Sequence, residues 1–231
     1  IALVLAELMR VLGYERYALA GGDWGAVINA HHANHFPERI IGLHSNMLLA
    51  PPPADETLRA STSADELALR ETRSAYMSRE LAYQQIQGTK PQSLGYGLND
   101  SPAGLAAWIL EKFHGWTDMP QGAEGDLWEH FTKDELLSNI SIYWFTQSIT
   151  SSMRIYYENQ ATPQIKPTGY IDVPTGVALF PAEIYITPRA WAEAAYDIRH
   201  WAKLDRGGHF AALEQTDAYL NELNTFFRLL R

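Results

Sequence analysis

The residues Gly21-Gly22-Asp23-Trp24-Gly25 constrain this chain more than any other part of it. They follow an apolar run, Tyr17-Ala18-Leu19-Ala20, and precede a helical pattern from Ala26 to Phe36. The order is strand, sharp turn, helix. It fits the nucleophile elbow, G-x-S-x-G, with aspartate in place of serine. Small residues two before and two after the tip are expected, because a Cβ in so tight a turn would clash. Aspartate at the tip implies a carboxylate nucleophile that forms an alkyl ester, not a serine that forms an acyl-enzyme. The plainer alternative is a glycine-rich turn with an Asp N-cap.

A second signal lies near the other end of the chain. Arg206-Gly207-Gly208-His209-Phe210 follows a strand pattern from Ile198 to Leu204. A glycine-flanked His after a strand presents its imidazole at the C-terminal edge of a sheet, where α/β folds bind ligands. Histidine is the natural general base near neutral pH. Taken alone, a loop histidine is more often a surface residue. Asp23 early and His209 late, however, match the chain order nucleophile, acid, histidine of the α/β-hydrolases. The acid belongs after the preceding strand, where it would orient the imidazole. That strand, Val173 to Phe180, is followed by Pro181-Ala182-Glu183, and Glu183 is the carboxylate at that point. Asp197 opens the next strand, at the wrong end of the sheet, and Asp205 is too close along the chain to His209. The plainer role for Glu183 is to complement the dipole of a helix begun at Pro188.

The rest of the chain supplies the frame. A length of 231 residues suits one domain, or one with an inserted subdomain. Apolar residues at 46% give ample core material, so disorder is not expected. The net charge of −9 argues against nucleic acid or an anionic membrane as the main partner. The lack of cysteine excludes disulfides and thiolate metal sites. No apolar stretch is long enough to span a bilayer and no signal peptide is visible, so a cytoplasmic setting is favoured for the chain as it stands. His31 and His35 have the i, i+4 spacing of some zinc sites, but no Glu lies inside the pair as in H-E-x-x-H, and no metal is expected. Ile1, Val4, Leu5, Leu8, Met9 and Leu12 form one apolar helix face. Ile40 to His44 is a short strand, Asp55 to Tyr157 is mostly helical, and Asp217 to Leu230 is an amphipathic closing helix. Strand–helix alternation on both sides of a helical insertion predicts an α/β fold with a parallel sheet and an inserted helical cap. The expected divisions are 1–50, the first part of the core with the elbow; 51–165, the cap; and 166–231, the rest of the core.

With these residues together, the chain resembles the epoxide hydrolases of the α/β-hydrolase superfamily, of the microsomal and juvenile-hormone type. The likeness runs through Gly21 to Gly25, Gly42-Leu43-His44-Ser45-Asn46-Met47, Leu98 to Phe113, Ile142-Tyr143-Trp144, Val173 to Val177 and Arg206 to Ala212. It implies Asp23 as nucleophile, His209 as base and Glu183 as charge-relay acid. It also implies two cap tyrosines that activate the epoxide. By position these are Tyr83, ahead of Gln87-Gly88-Thr89-Lys90-Pro91, and Tyr156, beside Tyr157. The chemistry agrees: the carboxylate attacks carbon, tyrosine hydroxyls stabilise the developing alkoxide, and His209 activates the water that hydrolyses the ester. The Trp24 backbone N–H would stabilise the tetrahedral oxyanion. The products would be a vicinal diol and the restored enzyme, with a small-molecule epoxide as substrate and no cofactor.

The resemblance also implies a C-terminal part of such an enzyme. The HG-x-P segment that precedes the elbow in the family does not occur here, and the sheet would comprise only the last four strands, a contiguous half. The first of these would be an open edge. A missing N-terminal segment, or a second copy of the chain, is the partner this would call for. Two alternatives stand beside epoxide hydrolysis. A haloalkane dehalogenase would share the Asp nucleophile, with the Trp24 indole placed to bind halide, and a fragment inactive without its N-terminal half would catalyse nothing.

Overall fold

The computed structural model describes residues 1–120, 125–163 and 169–231. The chain groups into two compact units, Ile1–Ser74 with Lys166–Arg231, and Ala75–Ile165. Residues 164–168, where the sequence places its second boundary, lie outside the described residues. The helices, in chain order, are α1 (Ala2–Val11), α2 (Asp23–His35), α3 (Glu56–Ala60), α4 (Ala64–Met77), α5 (Ala82–Thr89), α6 (Pro91–Asp100), α7 (Pro102–Trp116), α8 (Lys133–Thr146), α9 (Ile149–Ala161), α10 (Arg189–Glu193), α11 (Ala211–Glu214) and α12 (Thr216–Arg228).

The first unit is built on strands β1 (Tyr17–Ala20), β2 (Ile40–Ser45), β3 (Ile171–Leu179) and β4 (Tyr196–Lys203). They pair in that order, all parallel. A parallel neighbour must be reached by a crossover, and α2 and α10 supply two of them. β2 and β3 are apolar and buried along most of their length, as strands covered on both faces should be. Pro174 cannot donate to a ladder. It lies just ahead of the first β2–β3 pair, Leu43 with Thr175, and beside a register irregularity with β4. The main core gathers Leu19, Ala30, Ile40, Leu43, Val173, Val177, Trp191 and Tyr196.

Two glycines on neighbouring strands let α12 approach the sheet. A Cβ at Gly176 would stand 2.5 Å from Phe226 Cγ, and one at Gly42 would stand 3.2 Å from Phe226 Cε1 and closer still to Leu230. Phe226 fills the space they leave and is fully buried.

α3 and the first three turns of α4, which the sequence groups with the cap, are anchored to the sheet unit. The Trp191 indole N–H donates to Thr62 Oγ1 at 3.1 Å. The nearly buried Glu66 carboxylate accepts from the Arg189 amide at 2.9 Å and pairs with Lys203 at 2.7 Å. Arg70 and Arg73 follow on the same helix face, at the spacing that brings residues of successive turns into line. Arg70 donates to the Ile186 carbonyl at 2.7 Å and stacks over Tyr185 and Trp191.

α1 is fastened from below rather than by its expected apolar face. Arg39 donates to the carbonyls of Ala6, Tyr14 and Glu15 at 3.2–3.3 Å and lies over the Tyr17 ring. Ala6 is buried and Met9 packs on the core. Ile1, Val4, Leu5, Leu8 and Leu12 are exposed, and so are Leu3 and Val11.

The second unit is helical. Pro91 and Pro102 begin α6 and α7, where a missing N–H costs nothing. Thr132 and Glu135 form a capping box at the start of α8. Leu98, Leu105, Ile140, Ile149 and Met153 form its core. α5 lies close on α9 because Gly88 has no Cβ to meet the Gln160 side chain. No helix among the described residues is long and apolar enough to cross a membrane.

Candidate active site

The turn after β1 begins α2 at Asp23, three residues earlier than the apolar pattern alone indicates. Gly22 is the N-cap, in extended conformation, and Asp23 has φ +49°. A non-glycine residue in the left-handed region is strained, and such strain is characteristic of a nucleophile elbow. A Cβ at Gly21 would meet Asn29 Nδ2 at 3.1 Å and the Gly25 backbone at 3.4 Å, a tight fit within the turn. A Cβ at Gly22 would stand 2.6 Å from Asn46 Oδ1, at the end of a side chain that lies against the turn from the end of β2.

His209 sits in a bend past β4. The parallel pairing of β3 and β4 extends beyond the strands through a bridge between Ala182 and Gly208 and a bond from the Ala182 amide to the Gly207 carbonyl, 3.0 Å. The acid loop and the histidine loop are thereby joined. The Glu214 carboxylate accepts from the amides of Gly208 and Phe210 at 3.0 and 2.9 Å, one on each side of His209. Arg73 of α4 donates to the Ala182 and Glu183 carbonyls at 2.8 and 3.1 Å.

These supports bring three predicted residues together. His209 Nε2 lies 3.0 Å from Asp23 Oδ2, and His209 Nδ1 lies 2.5 Å from Glu183 Oε1. Glu183 is fully buried and its Oε1 also accepts from the Ile184 amide at 2.7 Å, while Oε2 accepts from Asn46 Nδ2 at 2.9 Å. The Asp23 side chain keeps 36% of its surface exposed. Burial disfavours the imidazolium of His209, but the Glu183 carboxylate and the hydrogen bonds to Asp23 and Glu183 outweigh it and raise the pKa to about 10. The raised pKa favours the imidazolium form of His209 at neutral pH. Trp24 is in the first turn of α2, whose amides project from the helix N-terminus.

The weaker acid candidate Asp197 lies elsewhere. Asp197 stands near the start of β4 and pairs with Arg199 at 2.8 Å. The histidines of α2 are occupied in packing: His32 Nε2 bonds the Tyr17 hydroxyl at 2.6 Å, and His35 Nδ1 bonds the His31 carbonyl at 2.7 Å. In the second unit, Tyr83 of α5 and Tyr156 of α9 meet edge to face with ring centroids 5.7 Å apart. Trp116 packs on Tyr83 at 5.2 Å, and the Lys112 ammonium, paired with Glu80, stands 5.2 Å from the Tyr83 ring.

Asn46, Glu214 and Arg73 are the site residues that reading the sequence did not select. Their types are common and their partners distant in the chain. The one available signal was positional: Asn46 ends the β2 pattern, where a parallel sheet presents residues to a ligand.

No protein-family model matches the chain. A protein of Stigmatella aurantiaca is 42% identical over 100% of this chain and 51% of its own length. Epoxide hydrolase 1 of Sus scrofa is 38% identical over 99% of this chain and 54% of its own. The crystal structure of juvenile hormone epoxide hydrolase from the silkworm Bombyx mori superposes with a TM-score of 0.87 at 36% identity, covering 100% of this chain and 59% of that one. The chain spans about half the length of the curated relatives it matches.

Proposed function

This chain belongs to the epoxide hydrolases of the α/β-hydrolase fold, and from that premise we propose that the protein opens an epoxide through an ester on Asp23 and hydrolyses that ester to a vicinal diol. The observation that carries the reading is the bridging imidazole of His209, 3.0 Å from the Asp23 carboxylate and 2.5 Å from Glu183. A serine-type triad would need the histidine to deprotonate the nucleophile. Here the nucleophile is a carboxylate, and the histidine is free to serve the second step.

In the first step an Asp23 oxygen forms a bond to an epoxide carbon and the carbon–oxygen bond breaks. Tyr83 and Tyr156 supply the donors: one gives its proton to the alkoxide and the other supports it. Alkylation removes the charge of Asp23, one of the influences that raise the His209 pKa. The imidazolium then gives up its proton, which restores the tyrosine. Neutral His209 takes a proton from water as the water oxygen adds to the Asp23 carboxyl carbon. Glu183 holds the imidazole by Nδ1 and stabilises its charge. The Trp24 amide stabilises the tetrahedral oxyanion. On collapse the departing oxygen takes the proton of the added hydroxyl and leaves as the diol, so Asp23 is again a carboxylate, His209 is again an imidazolium, and the balance is epoxide plus water to diol. The two units act as core and cap in this reading.

The test is to mix the intact protein with a simple aryl epoxide in ¹⁸O-water. Single-turnover product should carry oxygen from Asp23, and ¹⁸O should enter the carboxylate. Diol formed with solvent oxygen in the first turnover would mean direct attack by water and would overturn the ester route.

A further inference from the structure

We propose that Asn46 is a positioning residue for hydrolysis of the ester: its carboxamide fixes the Glu183 carboxylate, and through it the His209 imidazole, from a seat against the nucleophile turn. The inference rests on the roles given above to Asp23, Glu183 and His209. Four parallel strands end at one edge of the sheet, and one residue comes from just past each. Asp23 follows β1, Asn46 follows β2, Glu183 follows β3 and His209 follows β4. The reaction described so far uses three of the four.

The fourth is held as tightly as the others. Asn46 is only 7% exposed, and its Nδ2 donates to Glu183 Oε2 at 2.9 Å. A carboxylate only accepts, so this contact sets which way the amide faces. The same carboxamide fills the space a side chain at position 22 would need, 2.6 Å from the ideal Cβ for Oδ1 and 2.8 Å for Nδ2. Asn46 therefore touches the residue before Asp23 on one side and the acid on the other. Glu183 has two oxygens and must present one of them to His209 Nδ1. The Ile184 amide and the imidazole occupy Oε1. Asn46 donates to Oε2, opposite the two partners of Oε1, and so opposes rotation about the last side-chain bond. Without it a buried anionic oxygen loses its partner, and the carboxylate can turn away from the imidazole. Attack by Asp23 on an epoxide does not need a neutral, aligned His209, whereas activation of water does.

The experiment compares Asn46→Ala and the isosteric Asn46→Asp with wild type in the intact protein. Rapid quench and mass spectrometry of the alkyl-enzyme give the two steps separately. The expected result is an alkylation rate within about threefold of wild type, with hydrolysis slowed on the order of 10- to 100-fold, so that ester accumulates. The proton of the His209 Nδ1–Glu183 bond should also move upfield or broaden in the NMR spectrum. Equal slowing of both steps, or an unaltered proton with unaltered hydrolysis, overturns the proposal. Two measurements on the wild type keep the test independent of how the variants fold. The Asn46 side-chain amide protons should exchange slowly with solvent, and fast exchange removes the contact on which the inference stands. If no ester forms on the wild type with any epoxide, the reaction reading fails instead, while the NMR signals still report on Asn46.

Discussion

At the scale of single residues, the proposed reaction depends on Asp23, held at a positive φ, and on a histidine whose charge is set by its neighbours. Asp23 has φ +49°, and His209 Nε2 stands 3.0 Å from its carboxylate. Asp23→Asn should abolish ester formation, with turnover down on the order of 10⁴-fold or more. His209→Gln should still form the ester but hydrolyse it about 10²- to 10⁴-fold more slowly, seen as a persistent mass adduct. A His209→Gln enzyme that turns over normally would break this division of roles. The pH dependence follows from the upward shift of His209. In the free protein its imidazolium persists to about pH 10. In the ester one of the raising charges is gone, so hydrolysis should increase with pH through a pKa below that value. Single-turnover rates against pH, set beside the NMR titration of the free protein, would show the difference.

A second histidine makes a separate prediction. His44 is fully buried in β2 among Tyr219, Phe226 and Phe227, with neither ring nitrogen hydrogen-bonded among the described residues. Burial, with a smaller push from His200, lowers its pKa from 6.5 to about 4. The unfolded chain then binds a proton that the folded chain refuses. Stability is full above about pH 6.5 and falls as the pH drops toward 4. The loss by that point is about 3 kcal/mol. His44→Phe should flatten this part of the stability curve in urea titrations at pH 7 and pH 5. An unchanged pH dependence would place the acid sensitivity elsewhere.

Elements are held by a few close approaches. α12 lies on the sheet because β2 and β3 each offer a glycine beneath Phe226. Gly176→Ala would press a methyl group into the ring, and overpacking of this kind costs about 1–3 kcal/mol. A lowered urea midpoint with an unchanged slope is the expected result, and an unchanged midpoint would mean that α12 shifts freely. α4 shows the polar counterpart. Its Glu66, Arg70 and Arg73 bind the β3–β4 region at Arg189, Lys203, Ile186, Ala182 and Glu183. Of the three, Arg73 is the one that binds the Ala182 and Glu183 carbonyls, so Arg73→Ala should slow ester hydrolysis more than it lowers stability.

For the whole molecule, the notable surface is α1. Seven apolar side chains, Ile1, Leu3, Val4, Leu5, Leu8, Val11 and Leu12, are 37–70% exposed on it. Beside it, β1 is an edge of the sheet among the described residues. Exposed apolar patches and open strand edges both promote association. The isolated 231-residue chain should therefore sediment as concentration-dependent oligomers, and replacing Val4 and Leu8 with Lys should shift it toward monomer. A monomer at all concentrations, with Val4 and Leu8 intact, would show that the surface is inert.

The sequence by itself determined the elbow at Asp23, the glycine-set loop of His209, the place of Glu183 after β3, and a parallel sheet interrupted by helices. These are local properties. Glycine spacing, strand and helix period and the order of residues along the chain are decided within a dozen positions. Tertiary structure decided what lies across space: that His209 meets an aspartate 186 positions away, that Asn46 supports Glu183, that Glu214 brackets His209, and that Arg73 holds the acid loop. It also decided that the Asn46 carboxamide lies against Gly22, and that the apolar face of α1 stays outside. The reason is physical. A parallel sheet brings its strand ends to one edge only after crossovers set register and helices fix spacing, and no single segment contains that information.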